Sequence, residues 1–146
     1  MVANDFTLPD QNGQIHTLVQ YKGHWVILYF YPRDDTPGCT KEACSIRDGQ
    51  TALKDAGITV LGISVDTLES HQKFSTEHQL NFPLLADDKK IVTKAYGCDA
   101  FYGLAKRHTF IIKPDQTIGV VLIDVDVSKH SQQILEAVKK LKDNPK

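Results

Sequence analysis

The chain alternates short apolar runs with longer stretches whose apolar residues recur every three or four positions. Trp25 to Tyr31 and Ile58 to Val65 are apolar runs of strand length, the pattern of strands buried on both faces. Between them, Cys39 to Ala56 carries an apolar stripe at helical spacing and is followed by Gly57, a C-cap residue. Phe6 to Leu8 and Ile15 to Leu18 flank the turn-forming Asp10-Gln-Asn-Gly13 and predict a small N-terminal hairpin. Asp66 or Thr67 is placed to cap a helix over Leu68 to Gln79, Pro83 to Ala86 reads as a short strand, and Lys89 to Tyr96 as a helix stopped by Gly97. Arg107 to Ile112 and Ile118 to Ile123, joined through a Pro114-Asp115 turn, predict a second hairpin. Ser128 is expected to cap a last helix with Ile134, Leu135, Val138 and Leu141 on one face. Alternation followed by a hairpin and a helix implies an α/β fold, a mixed central sheet with helices on both faces.

The candidate chemistry lies in one run, Tyr31-Pro-Arg-Asp-Asp-Thr-Pro-Gly-Cys-Thr-Lys-Glu-Ala-Cys44. Pro37-Gly38 is a turn signal, so Cys39 falls in the first turn of the predicted helix. Unpaired backbone N–H groups and the positive end of the helix dipole favour negative charge there. At 100° per residue, Ala43, Ile46, Gln50 and Leu53 all fall within roughly 40° of Cys39, so this thiol shares the face that packs on the protein body. Cys44 points roughly 140° away, towards the helix flank. Residues i and i+5 of a regular helix have Cα atoms roughly 8.6 Å apart, whereas a disulfide accepts at most about 6.8 Å. A bond between Cys39 and Cys44 therefore requires the start of the helix to unwind, and Gly49 weakens the same stretch.

Composition narrows the function classes. A length of 146 residues with 41% hydrophobic content suits one compact domain over residues 1–146. The net charge of −1 with dispersed basic residues indicates neither a nucleic-acid stripe nor a membrane-binding face. No stretch approaches the length of a transmembrane span, and Met1-Val-Ala-Asn-Asp5 lacks the basic and apolar regions of a secretory signal. A cytoplasmic location is the expectation. An odd count of three cysteines argues against a structural disulfide framework.

Pro32, Thr36 and Cys39 form Pro-x-x-x-Thr-x-x-Cys, which resembles the peroxiredoxin active-site signature. Thr36-Pro-Gly-Cys-Thr-Lys-Glu-Ala-Cys44 is similar to the Q-type, or bacterioferritin-comigratory, subfamily. The resemblance runs from Asp5-Phe-Thr-Leu-Pro-Asp-Gln-Asn-Gly13 to Arg107-His-Thr-Phe-Ile-Ile112 and the last helix. It implies a thioredoxin-like fold and a thiol-dependent peroxidase acting on hydrogen peroxide and organic hydroperoxides. Under it Cys39 is the peroxidatic cysteine and Cys44 the resolving one. Thr36 and Arg107 complete the peroxide pocket, Pro32 shields it, Gly38 belongs to its backbone, and Glu42 orients Arg107. A Cys39 sulfenic acid would be resolved by Cys44 as an intramolecular disulfide and re-reduced by thioredoxin or a similar dithiol. No metal, flavin or haem is needed, and a monomer or weak homodimer suffices because both thiols lie in one chain.

These residue types suit the task. Lowering a thiol pKa from about 8.5 to about 6 gains at most about 30-fold in thiolate at neutral pH, and a less basic thiolate is a weaker nucleophile. The pocket must therefore also stabilise charge as the O–O bond stretches. An Arg107 guanidinium supplies fixed donors, the Thr36 hydroxyl can donate and accept, and first-turn backbone N–H groups supply more donors.

Two other readings use the same thiols: a general disulfide oxidoreductase, whose usual Cys-x-x-Cys is absent because Glu42 stands at the second position, and a redox sensor or relay. The six histidines are scattered, and His71 and His78 miss the spacing of a helical metal pair. A zinc site from Cys39, Cys44, Cys98 and His108 is not favoured. His108 is expected to face away from Arg107 as a packing residue. Asp34 and Asp35 read as solvated loop carboxylates that would oppose a thiolate. Cys98 departs from the subfamily pattern and reads as a packed small residue, with an alternative resolving role open. The N-terminus also begins some residues short of the usual start.

Overall fold

The computed structural model describes residues 2–100 and 103–143. Five strands form the central sheet in the order β5-β4-β3-β6-β7. They are β3 Trp25–Phe30, β4 Ile58–Ser64, β5 Leu84–Ala86, β6 Thr109–Ile112 and β7 Ile118–Leu122. Strands β3, β4 and β5 run parallel, while β6 and β7 are antiparallel additions. A separate hairpin pairs β1 Thr7–Pro9 with β2 Ile15–Thr17. The expected N-terminal hairpin and mixed sheet are both present.

Strand β3 is central and buried on both faces, as its unbroken apolar run requires. Val26, Leu28 and Phe30 point into one core with Phe6, Leu8 and Leu18 of the N-terminal segment and Val92 of α4 Ile91–Ala95. Ile27, Tyr29 and Tyr31 point into the other, against Cys39, Ala43 and Ile46 of α1 Pro37–Asp48 and Leu53 of α2 Gln50–Asp55. Phe74 of α3 Leu68–His78 and Ile134 and Val138 of α5 His130–Asp143 complete that second core. A fully buried Val, Leu, Ile or Phe among them, such as Ile27 or Leu28, stabilises the fold by roughly 1.5–3 kcal/mol relative to exposure. Gly62 sits opposite Tyr29 in the β3–β4 ladder, and a Cβ there would come within 2.9 Å of the Tyr29 hydroxyl. Only glycine leaves space for this phenol.

The structure corrects several boundaries. The expected single helix from Cys39 to Ala56 starts two residues earlier, at Pro37, and breaks at Gly49 into α1 and α2. Glycine is a poor helix former, and packing demands it here: a Cβ on Gly49 would lie 2.5 Å from Ser131 Cβ of α5. The helix predicted over Lys89 to Tyr96 contracts to Ile91–Ala95, because Lys90 adopts a left-handed conformation. Arg107 and His108 precede β6 rather than belonging to it, and β7 ends at Leu122. Thr67, not Asp66, caps α3, its Oγ1 accepting the Ser70 N–H at 3.2 Å. Ser128 does not cap the last helix. Its hydroxyl donates to Asp126 at 2.7 Å, and the Ser131 N–H in the first turn of α5 is accepted instead by Ser45 Oγ of α1 at 3.2 Å.

Candidate active site

Strand β3 ends at Phe30, and the loop over residues 31–36 carries the chain to the head of α1 at the carboxyl end of the parallel strands, where open α/β sheets place their ligands. Thr36 is the N-cap residue and Pro37 the first helical residue, where a missing N–H costs nothing. The first intrahelical bond runs from Thr40 N–H to Thr36 O. The N–H groups of Gly38 and Cys39 precede it and so have no intrahelical acceptor. Cys39 is 1% exposed, Cys44 half-buried, and both thiols are free.

Arg107 spans the site. Its Nη2 donates to Cys39 Sγ at 3.2 Å and its Nη1 to Glu42 Oε1 at 2.6 Å. The two contacts use the fork of one guanidinium, so Glu42 fixes the plane in which Arg107 meets the sulfur. A Cβ on Gly38 would lie 3.2 Å from Nη2, so the glycine makes room for this approach. Burial opposes the charge of Arg107, but Glu42 and Cys39 together hold its pKa above the ordinary value.

Glu42 is fully buried, and burial pushes its carboxyl up to about 7 despite the opposing pull of Arg107. Behind it stands His130, also fully buried, with Nε2 3.4 Å from Glu42 Oε2 and 2.9 Å from Thr109 Oγ1. Burial lowers the pKa of His130 to about 4. The Tyr29 hydroxyl has no hydrogen-bond partner among the described residues, and burial, with Glu42 nearby, raises its pKa well above the ordinary range. Sequence reasoning did not find Tyr29, Thr109 or His130. Each stands in an ordinary strand or helix-start pattern, and only the packing of β3, β6 and α5 on α1 brings them to Glu42.

The remaining candidates fall as follows. Thr36 Oγ1 donates to the Arg33 carbonyl at 3.0 Å, which leaves its lone pairs free, and Pro32 is half-buried. The reading of Asp34 as solvated is overturned. It is buried and accepts from the Tyr31 hydroxyl at 2.6 Å, Ser70 Oγ at 2.8 Å and His71 Nδ1 at 2.6 Å. Its neighbour Asp35 is exposed. Cys98 is a packed residue of the core opposite to that of Cys39, 4.0 Å from His108 Nδ1, and burial pushes its thiol up to about 12.

A buried thiol at the head of a helix, gripped by a guanidinium above a thioredoxin-like sheet, defines a thiol-based oxidoreductase. Residues 1–121 match the AhpC/TSA family. The chain is 43% identical over 137 residues to a putative peroxiredoxin bcp of Coxiella burnetii, covering 89% of this chain and 91% of that one. Among solved structures, peroxidoxin BcpB from Mycobacterium tuberculosis matches with a TM-score of 0.88 at 31% identity, covering 97% of this chain and 96% of that chain. The bacterioferritin comigratory protein of Xanthomonas campestris, studied for alkyl peroxide reduction, matches with a TM-score of 0.87 at 31% identity, covering 92% and 90%. The chain belongs to the AhpC/TSA family and, within it, to the Bcp and Q-type peroxiredoxins, thiol peroxidases that reduce peroxides. No helix among the described residues is long and apolar enough to cross a membrane.

Proposed function

We propose that Cys39 is the thiol that peroxide oxidises and that Cys44 resolves the product. The observation that carries this reading is the 3.2 Å contact of Arg107 Nη2 with Cys39 Sγ, with Nη1 of the same guanidinium held by Glu42. Cys39 thiolate attacks the distal peroxide oxygen, the S–O bond forms as the O–O bond breaks, and water or an alcohol leaves after taking a proton. Arg107 and the Thr36 hydroxyl stabilise the charge that moves onto the departing oxygen. Pro32 shields the sulfur, and Gly38 admits the guanidinium.

Cys44 thiolate then attacks the Cys39 sulfenic acid, releasing its hydroxyl as water and forming a disulfide. Both thiols lie in the regular helix α1, so the roughly 8.6 Å between their Cα atoms must shorten and the start of α1 must unwind. A dithiol protein of the thioredoxin class reduces the bond by thiol–disulfide exchange. Neither step calls on a second subunit, so a monomer or weak homodimer within the cytoplasm is sufficient. The alkyl peroxide activity named for the Xanthomonas campestris relative supports organic hydroperoxides beside hydrogen peroxide as substrates.

The test is an intact-mass and peptide map of reduced protein after one equivalent of hydrogen peroxide, with free thiols blocked at short times. Loss of two hydrogens localised to the Cys39 and Cys44 peptides is expected. An unmodified Cys39, or a bond from Cys39 to Cys98 in the wild type, would overturn the assignment.

A further inference from the structure

Gln133 fixes the tautomer of His130. Its Oε1 accepts the Asp126 N–H at 2.9 Å and its Nε2 donates to Asp124 O at 3.2 Å, so the orientation of the amide is set. The same Oε1 lies 3.2 Å from His130 Nδ1, and an amide oxygen can only accept, so Nδ1 carries a proton. If His130 is neutral, its Nε2 is then a lone pair that accepts from the Thr109 hydroxyl at 2.9 Å. Glu42 Oε2 faces this nitrogen at 3.4 Å and has no hydrogen-bond partner among the described residues. An ionised carboxylate oxygen pointed at a lone pair in a site with no exposure is the least favourable arrangement available. One further proton, on either atom, supplies the donor that Oε2 and Nε2 lack between them, and the Thr109 hydroxyl then shares that nitrogen or turns to accept from it.

We propose that Glu42 and His130 hold one proton between Oε2 and Nε2, which makes the pair neutral and leaves the positive charge of Arg107 directed at Cys39. His130 is thereby a positioning residue that acts on the sulfur through Glu42 and Arg107. The inference deepens the proposed cycle and rests on it for its effect on turnover, though not for the location of the proton.

The charge count does not depend on which atom holds the proton, since protonated Glu42 with neutral His130 and ionised Glu42 with cationic His130 both sum to zero. Without the proton the pair is anionic and offsets Arg107, the cation in contact with Cys39. The groups facing the pair are Arg107 on Oε1, Tyr29 from β3, Thr109 from β6, Cys39 one turn earlier on α1, and Asp126 from the loop before α5. Burial raises the carboxyl and lowers the imidazole, which is consistent with the proton resting on Glu42 near neutrality.

Infrared spectra of the reduced wild type and E42Q at about pH 6, with nitrogen-15 NMR of histidine-labelled protein, locate the proton. A protonated-carboxyl band absent from E42Q with a singly protonated His130, or no such band with both His130 nitrogens protonated, supports the proposal. A singly protonated His130 beside an ionised Glu42 overturns it. The rate with hydrogen peroxide is expected to fall about tenfold as the proton is lost, and the pH profile of E42Q, whatever its absolute rate, to lack that fall. The same fall in E42Q would overturn the link to Cys39. A wild type in which peroxide leaves Cys39 untouched at every pH would instead refute the cycle, while the spectra would still decide the proton.

Discussion

Ser45 Oγ accepts the Ser131 N–H at 3.2 Å and lies 3.4 Å from Ser131 Oγ, so the residue next to Cys44 caps the helix that carries His130. The contact couples the opening of α1 that the proposed disulfide requires to the start of α5. If α1 unwinds to join Cys39 to Cys44, the first turn of α5 loses this acceptor. Hydrogen exchange in the disulfide form is therefore expected to speed up in α1 and also in the first turn of α5. Equal protection of α5 in both redox forms would sink the coupling. Ser45→Ala should cost the reduced protein up to about 1 kcal/mol in urea denaturation through the lost cap on α5, offset in part by the better helix propensity of alanine within α1.

Gly38→Ala separates stability from activity. In a helical position alanine gains on the order of half a kcal/mol over glycine. Its Cβ would meet Arg107 Nη2 at 3.2 Å, so the guanidinium must retreat by a few tenths of an ångström from Cys39. Melting temperature should hold or rise while the second-order rate with peroxide falls about tenfold. A rate that stays at the wild-type value would show that the close approach of Arg107 is not needed.

Arg107→Lys keeps the charge but loses the fork. An ammonium is a single point of charge and cannot reproduce two fixed donors, one on Glu42 Oε1 and one on Cys39 Sγ. The expected loss in peroxide rate is about 100-fold, read by stopped-flow mixing of reduced protein with hydrogen peroxide. A loss of only about twofold would mean that charge alone, without the planar geometry, is sufficient.

How far the sequence carries the reader is visible in these residues. Strands β3 and β4 and the face shared by Cys39, Ala43, Ile46 and Leu53 follow from periodicity, because period and burial are coupled along one element. Gly49 is legible as the weak point of its helix, but the close approach of Ser131 that demands a glycine there is not, because it comes from a helix more than eighty positions away. Thr36, Cys39 and Glu42 stand close together in the chain and could be listed by motif, and Arg107 by family resemblance. His130 and Thr109 reach the same carboxylate only through tertiary packing, and no local signal marks them. Asp34 misleads for the same reason: its acidic loop looks solvated until α3 brings Ser70 and His71 over it.

That buried position makes Asp34 structural. Asp34→Ala would leave the Tyr31 hydroxyl, Ser70 Oγ and His71 Nδ1 without their shared acceptor and would free the loop leading to Cys39. The expected cost is about 2–4 kcal/mol in urea denaturation of the reduced protein, from three buried donors left without an acceptor. A cost below about 1 kcal/mol would return Asp34 to the class of loop carboxylates with little role in the fold.

The pH dependence of stability gives a thermodynamic view of the Glu42 and His130 pair. Glu42 is raised from 4.5 to about 7 in the folded protein, so between these values the folded state holds a proton that the unfolded state has released, and stability falls as pH rises. His130 is lowered from 6.5 to about 4, so over that interval the unfolded state holds the extra proton and stability rises with pH. Between about pH 4.5 and 6.5 the folded pair and the unfolded pair each bind one proton, and the two slopes cancel. E42Q removes only the first contribution. Its stability should climb by about 2–3 kcal/mol relative to wild type from pH 4.5 to 7, measured by chemical denaturation across that range. Parallel curves for the two proteins would mean that Glu42 ionises alike in the folded and unfolded chain, and that its burial beside His130 has no hold on its proton.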